Sequence, residues 1–415
     1  GCSSAKMKDA RKEFSSLDIR PLQQRSLRAL QVNPHMSYDT KIVSARDTLQ
    51  MLAETRRDLN GTVVFSNGLG GVPNYRIPAI VQTGGSPPTL VAFAEARNGG
   101  DDTASRIAVR TSTDAGASWS AVAFAVGSLN TSAAFAACTK TNFTGCRASN
   151  PTAVWDSVSA KVVLAYVVRS FGPYPNDVGN GIVRSADGTT WDAPEDVSAG
   201  FVSDGHYGMP GPGTALQLDS GPKKGRLLVP VQHGYVTVSV SDDDGKTWRT
   251  KPATDRSGSP EESALTQLPN GSVMLNFRHK CSAPGQCWAN HTLLGRGVAV
   301  SNDGGDSFGP VSYDARLAAP ICQGSIVSFD GATYFSNPAS NTSRSHLTIR
   351  KSTDNAATWA KSLLVQTDAS EGYSCLVKGA IMEGGKATTD GGLLYEAADG
   401  TIKFVRFPLS LSASE

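Results

Sequence analysis

A small set of polar residues in this chain could together bind an anion and carry out nucleophilic chemistry. Arg76, Arg278 and Arg344 are candidates for an anion site, because a planar guanidinium donates paired hydrogen bonds to a carboxylate. Glu262 and Tyr373 form a candidate acid–tyrosine pair, in which the carboxylate would take the phenol proton. Each charged residue taken singly is better explained as a solvated surface charge, so the interpretation depends on whether the fold brings them together.

The elements that must position these residues are indicated by an internal repeat of the form S-x-D-x-G-x-[ST]-[WF]. Five copies occur, at residues 112–119, 185–191, 241–248, 301–308 and 352–359. The second copy is one residue short, and the fifth has Ala356 in place of glycine. Asp and Ser side chains hydrogen-bond local amides and Gly accepts a positive φ, so the repeat predicts hairpin turns under which the aromatic ring packs. We therefore interpret the repeat aspartates as structural rather than catalytic.

Apolar runs around these repeats predict the fold. Each repeat follows an alternating segment, and two further apolar runs come before that segment. A sixth group of three runs, at residues 374–378, 392–395 and 402–407, lacks the repeat. Six groups of three inner strands, each with an outer fourth, predict an all-β, six-bladed β-propeller over residues 60–415. A single-layer solenoid is the alternative, but successive repeats start 51 to 73 residues apart, which is too long for one.

Blade geometry sorts the polar residues by face, because neighbouring strands of a blade are antiparallel. Starts of first strands, ends of second strands and approaches to third strands share one rim, and the repeats lie on the opposite rim. The first rim carries the candidate anion-binding and catalytic residues, together with three further polar residues. They are Arg76, Arg278, Arg344, Glu262 and Tyr373, with Arg97, Asp102 and Glu396. Cations clustered near a propeller axis would repel each other unless they served an anion, so the joint placement favours an anion-binding pocket.

Composition limits the classes of function. The chain has 415 residues, 39% of them hydrophobic, which is enough for a sizeable core. A formal net charge of +2 argues against binding to nucleic acid or to a membrane surface in general. No run of eighteen apolar residues occurs, so no membrane-spanning helix is predicted. No C-x-x-C pair occurs and no histidines cluster near the cysteines, so we predict neither a metal nor a cofactor.

Cysteine spacing and glycosylation sequons bear on the compartment. Cys138 with Cys146, and Cys281 with Cys287, are spaced for loop disulfides, and free buried thiols are an equally weighted alternative. Six N-x-S/T sequons occur in the chain. These features favour a secreted or lysosomal, lumenal protein, with membrane association left open.

Residues 1–59 form a different kind of segment from the rest. They are polar, helix-like in part, and interrupted by Pro21 and Pro34. We predict an N-terminal extension, helical in part or disordered, that precedes the propeller domain at residues 60–415.

Seven short motifs match a known family. They are NYRIP at residues 74–78, AFAEAR at 92–97, GPG at 211–213, NFR at 276–278, SNP at 336–338, GYS at 372–374 and LYE at 394–396. Over about residues 60–407 the chain resembles the exo-α-sialidases (neuraminidases), most closely the group with lysosomal and bacterial secreted members. The RIP motif together with several turn repeats makes the resemblance specific.

The resemblance implies a binding role for each arginine in the matching motifs. Arg76, Arg278 and Arg344 would hold the substrate carboxylate. Glu396 would orient Arg76, and Arg97 would line the pocket. Arg344 follows the SNP motif, and each of the others occupies the expected place in its motif.

The resemblance also implies the catalytic residues. Tyr373 would be the nucleophile, and Glu262 would be the acid that activates it. Asp102, five residues after Arg97, would be the general acid/base, with its neighbour Asp101 as the alternative.

The implied activity is removal of terminal sialic acid with retention, through a tyrosyl intermediate. The implied substrates are sialylated glycoproteins, glycolipids or oligosaccharides, with no nucleic acid and no cofactor involved. Two alternatives stay open: a trans-sialidase that passes the sugar to another glycan, and a sialic-acid-binding propeller without catalysis. The sequence makes no prediction of oligomeric state or linkage preference.

Overall fold

The computed structural model describes residue 59 and residues 61–101, 103, 105–127, 146–170, 177–256, 259–279 and 295–411. Within these ranges the regular secondary structure is nearly all strand, with two short 3-10 helices at Leu69–Gly71 and Ser198–Gly200. In the same ranges no helix is long and apolar enough to cross a membrane. The predicted extension over residues 1–59 lies outside the described residues apart from Leu59, so its domain boundary stays a prediction.

The strands form six sheets that are arranged as propeller blades, and the predicted six-bladed β-propeller is confirmed. The first strand, β1 (Thr62–Phe65), belongs to the last blade. Blade one contains β2 (Asn74–Gln82), β3 (Leu90–Arg97), β4 (Ser105–Ser112) and β5 (Ala123–Val126). Blade two contains β6 (Cys146–Asp156), β7 (Lys161–Ser170), β8 (Asp177–Ser185) and β9 (Glu195–Asp196).

The next part of the chain forms a small hairpin and then blade three. The hairpin consists of β10 (Val202–Ser203) and β11 (His206–Tyr207). Blade three contains β12 (Met209–Pro210), β14 (Leu216–Gln217), β15 (Leu227–His233), β16 (Tyr235–Ser241) and β17 (Arg249–Pro252), and β13 (Gly213–Thr214) pairs with β6 of blade two.

The last three blades follow the same plan. Blade four contains β18 (Pro260–Gln267), β19 (Val273–His279), β20 (Arg296–Ser301) and β21 (Ser312–Asp314). Blade five contains β22 (Ser325–Phe329), β23 (Ala332–Pro338), β24 (Leu347–Ser352) and β25 (Lys361–Gln366). Blade six contains β26 (Ser374–Leu376), β29 (Asp390–Glu396) and β30 (Ile402–Pro408), with a hairpin of β27 (Met382–Glu383) and β28 (Lys386–Ala387) beside them.

The first strand of blade three is broken, whereas the apolar run at residues 214–218 predicts one continuous strand. β12 and β14 both pair with β15, but β13 between them pairs in parallel with β6. Pro210 and Pro212 lie in this segment, and proline has no backbone N–H to donate to a ladder. The segment therefore changes partner and connects blades two and three.

Six apolar clusters lie between successive blades and close the ring. In order around the ring, the clusters contain Phe93 with Leu164, Val163 with Val229, Leu228 with Leu275, Met274 with Phe335, Tyr334 with Leu393, and Leu394 with Ile80. The last cluster joins blade six to blade one. Burial of apolar surface is therefore continuous around the propeller.

The five repeats form closely similar turns. In the first, the Ser112 hydroxyl donates to Asp114 at 2.7 Å and accepts the Gly116 N–H at 2.9 Å. The Asp114 carboxylate accepts the N–H of Ser118 at 2.9 Å. The copy with Ala356 keeps these contacts, and Ala356 itself has a φ of 63°. The repeat aspartates thus bind their own turns, as the sequence predicts.

The aromatic residue that ends each repeat extends beyond its own turn. Trp119 lies 5.6 Å from Phe404 of blade six, and Trp191 lies 5.6 Å from Phe93 of blade one, as measured between ring centres. Trp359 of blade five lies 6.0 Å from the Phe335 ring, which is in the cluster shared with blade four. Each repeat therefore secures a boundary between blades as well as a hairpin.

The strand register separates the two rims. Arg97 pairs with Asn74 and Ser105 at one end of blade one, while Leu90 pairs with Gln82 and Ser112 at the other. The repeats follow the Ser112 end of the blade. Those candidate site residues that the structure describes consequently lie on the rim opposite the repeats, as predicted.

Candidate active site

Tyr373, Glu262 and Arg278 form a triangle contributed by blades four and six. Glu262 lies in β18 and Arg278 in β19, where the two strands are antiparallel neighbours, and Tyr373 directly precedes β26. The Tyr373 hydroxyl donates a short hydrogen bond to Glu262 Oε1. Arg278 Nη1 donates to Glu262 Oε2 at 2.7 Å and to the Tyr373 hydroxyl at 3.2 Å. One carboxylate, one phenol and one guanidinium are therefore in direct mutual contact.

Burial and neighbouring charges shift the pKa values of Tyr373 and Arg278. Tyr373 is only 6% exposed, and burial, with the negative charge of Glu262, raises the pKa of its phenol well above the ordinary value. Burial disfavours the charged form of Arg278, but Glu262 and Tyr373 more than offset this and raise its pKa. The phenol is thus neutral at rest, and its hydrogen bond goes to the Glu262 carboxylate.

Arg76 and the backbone of Tyr373 share one buried partner, Glu396. Arg76 lies in β2 and Glu396, at the end of β29, is 4% exposed. Arg76 Nε donates to Glu396 Oε1 at 2.7 Å, and the same oxygen accepts the Ile77 N–H at 3.0 Å. Glu396 Oε2 accepts the Tyr373 N–H at 2.9 Å. Glu396 therefore fixes the guanidinium and the tyrosine relative to each other.

Arg344 completes a ring of cations around Tyr373. It precedes β24 in blade five, and it donates to the backbone carbonyls of Glu371 at 3.0 Å and Ile321 at 3.1 Å. The Arg344 and Arg76 guanidinium carbons lie 5.6 and 5.3 Å from the centre of the Tyr373 ring. With Arg278 at the hydroxyl, arginines from blades one, four and five surround one side chain.

Glu371 contacts the same arginines, although the sequence interpretation did not include it. Its Oε2 lies 3.1 Å from Arg76 Nη1 and 3.8 Å from Arg344 Nη1. The side chain is 59% exposed. Its position two residues before Tyr373 is the one sequence signal that could have indicated it.

Arg97 lies at the edge of the cluster, in a buried pair that sequence reasoning also missed. Arg97 Nε donates to Glu95 Oε2 at 2.7 Å, and Glu95 Oε1 accepts the Asn150 N–H at 2.7 Å. Glu95 is 2% exposed. Glu95 and Arg97 are two apart in β3, so their side chains lie on the same face of the strand, and the AFAEAR motif contained this signal.

Asp102 lies outside the described residues, so its part in the site stays a prediction. Its neighbour Asp101 accepts a short hydrogen bond from Arg97 Nη1 and lies 3.7 Å from Arg76 Nη1. Burial alone would raise the pKa of Asp101, but Arg97, Arg76 and Arg344 outweigh it and hold the pKa below the ordinary value. An aspartate that stays ionised is a poor proton donor, which argues against Asp101 as the general acid.

A fifth arginine, Arg296, is buried next to the site. It is 1% exposed, donates to Asn276 Oδ1 at 2.8 Å and donates to the carbonyl of Cys322 at 2.7 Å. Cys322 packs with Ile77 and Tyr373 in a small apolar cluster. Burial raises the pKa of the Cys322 thiol to about 12, so this cysteine is a packing residue and not a nucleophile.

Most of this chain is similar in sequence to known proteins. Residues 89–380 match the BNR repeat-like domain family. A sialidase of Micromonospora viridifaciens is 32% identical over 368 residues, which cover 83% of this chain and 53% of that protein. The chain belongs to the sialidase family. An exo-alpha-sialidase of Arthroderma benhamiae is 31% identical to this chain over 176 residues, which cover 41% of this chain and 38% of that protein.

Solved sialidase structures have the same fold. A Hadza microbial sialidase matches with a TM-score of 0.71 at 24% identity, covering 85% of this chain and 69% of that chain. The intramolecular trans-sialidase from Ruminococcus gnavus matches with a TM-score of 0.68 at 16% identity, covering 87% and 99%. These likenesses establish the fold alone. The present sialidase-family chain spans about half the length of its Micromonospora relative.

Proposed function

We propose that the chain is an exo-α-sialidase that hydrolyses terminal sialic acid from glycoconjugates with retention of configuration. The observation that carries the proposal is the contact of a buried tyrosine with a glutamate inside a cluster of three arginines. Sialic acid bears a carboxylate on its anomeric carbon, and Arg76, Arg278 and Arg344 would hold it by charge-assisted hydrogen bonds.

The same carboxylate explains why the nucleophile would be a phenol. A carboxylate nucleophile would approach an anion, whereas a neutral tyrosine would not, and sialidases are a known exception to the two-carboxylate rule of glycosidases. The Tyr373 oxygen would bond to the anomeric carbon while its proton passes to Glu262. Arg278, which contacts both oxygens, would stabilise the negative charge that develops between them.

The leaving group needs a separate acid, for which we propose Asp102. Protonated Asp102 would give its proton to the glycosidic oxygen as that bond to the anomeric carbon breaks. Ionised Asp102 would then take a proton from water, whose oxygen attacks the anomeric carbon and releases Tyr373. The phenolate would regain its proton from Glu262, and a raised pKa for Asp102 would suit both steps.

The substrates we propose are sialylated glycoproteins, oligosaccharides and glycolipids, including gangliosides. We also propose a secreted or lysosomal compartment. Cys146 is disulfide-bonded, and disulfides persist mainly in oxidising compartments. Cys322 and Cys375, by contrast, are free and buried, and Cys138, Cys281 and Cys287 lie outside the described residues.

The test of this proposal is covalent trapping. A fluorinated sialoside destabilises the charged transition states, so a tyrosyl intermediate should accumulate, and mass spectrometry should find the sugar on the peptide that contains Tyr373. Tyr373→Phe should lose the label and most turnover of a fluorogenic sialoside. Tyr334→Phe is the matched control, since Tyr334 is also buried and donates its hydroxyl to the Leu409 carbonyl at 3.1 Å.

The outcomes separate the alternatives. A label on Glu262 would mean that the roles of the pair are reversed, and full activity in Tyr373→Phe would defeat the mechanism. Binding of sialic acid with neither label nor turnover in the wild type would indicate a non-catalytic binding propeller. Transfer to an added galactoside in preference to water would indicate a trans-sialidase.

A further inference from the structure

A carboxylate of the chain itself lies on the arginine cluster. Glu371 Oε2 is 3.1 Å from Arg76 Nη1 and 3.8 Å from Arg344 Nη1. We propose that Glu371 is an internal competitor for the substrate carboxylate, and that it sets the affinity of the pocket without taking part in bond making or breaking. The inference rests on the proposed function, because it takes the arginine cluster to be the carboxylate site.

The nitrogens of Arg76 show why the two carboxylates would compete. Nε and Nη2 of Arg76 face Glu396 at 2.7 and 3.4 Å. Nη1 remains for an incoming anion, and Glu371 takes this nitrogen at 3.1 Å. Asp101 also faces it, but at 3.7 Å and with its carboxylate already bonded to Arg97. A ligand carboxylate that pairs with Arg76 through Nη1 therefore competes with Glu371 for the same nitrogen.

The Glu371 side chain can be displaced from Arg76 more easily than that of Glu396, because it is far more exposed to solvent. Its side chain is 59% exposed, whereas that of Glu396 is 4% exposed. An exposed ion pair is screened by water and contributes little free energy. A substrate carboxylate that engages three arginines in a buried pocket would consequently win this competition.

The backbone around Glu371 is held independently of its side chain. Arg344 Nη1 donates to the Glu371 carbonyl at 3.0 Å, and the Ser370 N–H donates to the Arg344 carbonyl at 3.0 Å. The Gly372 N–H donates to the Ser370 hydroxyl at 3.1 Å. Rotation of the Glu371 side chain can therefore expose the arginines while the chain path leading to Tyr373 stays in place.

This arrangement makes a specific kinetic prediction. When a contact must open before a ligand binds, the apparent affinity equals the intrinsic affinity multiplied by the fraction of molecules in which the contact is open. Glu371 would be displaced equally in the bound complex and in the transition state. Its removal should therefore lower KM and raise kcat/KM by the same factor, with kcat unchanged.

The experiment compares Glu371→Gln, which keeps the shape and removes the charge, with the wild type. KM and kcat are measured with a fluorogenic sialoside, and the dissociation constant of free sialic acid is measured by calorimetry. We expect KM and the dissociation constant to fall by about two- to fivefold, the range for an exposed ion pair. Glu383→Gln is the matched control, because Glu383 is also 59% exposed and pairs with Arg406 Nη1 at 2.9 Å in the same blade.

Each outcome bears on one proposal or the other. A raised KM in Glu371→Gln would show that Glu371 contacts the substrate, and an unchanged KM and dissociation constant would show no competition; either overturns the inference. Absence of turnover in the wild type would refute the proposed function, while tighter binding of sialic acid by the variant would still support the inference. Absence of binding by both proteins would overturn both. Glu371→Ala should repeat the result of Glu371→Gln, which guards against a new hydrogen bond from the amide.

Discussion

Replacing Glu396 by glutamine would test how far the site depends on one buried carboxylate. Glu396 accepts four hydrogen bonds, two from Arg76 and one each from the backbone N–H groups of Ile77 and Tyr373. An amide has one acceptor oxygen and one NH2 group. Whichever way the glutamine turns, its NH2 group faces a backbone N–H and a guanidinium N–H, and it carries no charge to pair with Arg76.

The magnitude follows from the burial of the pair. Removing one partner of a buried ion pair costs about 3–5 kcal/mol, and the retained acceptor oxygen places Glu396→Gln at about 3 kcal/mol. Because each 1.36 kcal/mol is a factor of ten in rate, a loss expressed fully in the transition state would lower kcat/KM by about 100-fold. Any part of the loss that is expressed in folding would instead lower the thermal midpoint.

The assay is kcat/KM on a fluorogenic sialoside, with thermal unfolding measured in parallel. Glu383→Gln, whose ion pair is exposed, should leave both quantities close to the wild type. Combining Glu396→Gln with Arg76→Lys should give less than the sum of the two losses, since both variants break one shared contact. A kcat/KM within about threefold of the wild type, with an unchanged midpoint, would refute the positioning role of Glu396.

Two further predictions concern other parts of the molecule. Arg278→Lys keeps the charge but loses the planar guanidinium, whose Nη1 contacts Glu262 and Tyr373 and whose Nε lies 2.9 Å from Glu261, so kcat/KM should fall by about 100-fold; an unchanged value would remove Arg278 from the site. Burial opposes ionisation of Asp303, but hydrogen bonds from Ser307 and Ser301 hold its pKa to about 2. Because this pKa lies below the ordinary value, the stabilisation is complete above about pH 4 and is lost as the pH falls towards 2. The thermal midpoint of Asp303→Asn should therefore depend less on pH between 5 and 2 than that of the wild type, with KM unchanged, and an equal pH dependence would contradict the structural role of Asp303.

The repeated part of the fold was predictable because its signals are local. The turn repeats predict hairpins within eight residues, and alternating apolar and polar residues predict the strands before them. The number of blades, and the rim on which each turn lies, therefore follow without knowledge of distant contacts. Rim sorting in turn placed Arg76, Arg278 and Tyr373 on one opening.

The unpredicted features depend on contacts that are distant in sequence or hidden by burial. β1 pairs with β30, and Thr62 lies opposite Phe404, a pairing that no local pattern of four residues specifies. Arg296 starts β20 and resembles a rim charge in the sequence, but it is 1% exposed. The contacts of Glu371 depend on where its side chain lies, which strand patterns leave open.

The pairing of β1 with β30 has a consequence for synthesis of the protein. Blade six takes its outer strand from residues 62–65 and its other strands from residues 374–408. Arg76 belongs to the first blade to emerge from a ribosome, whereas its partner Glu396 emerges more than three hundred residues later. A nascent chain can pack its early blades against one another, but Arg76 must wait for Glu396 until the final blade is made. Co-translational folding would thus keep the site unassembled until nearly the whole propeller has been translated.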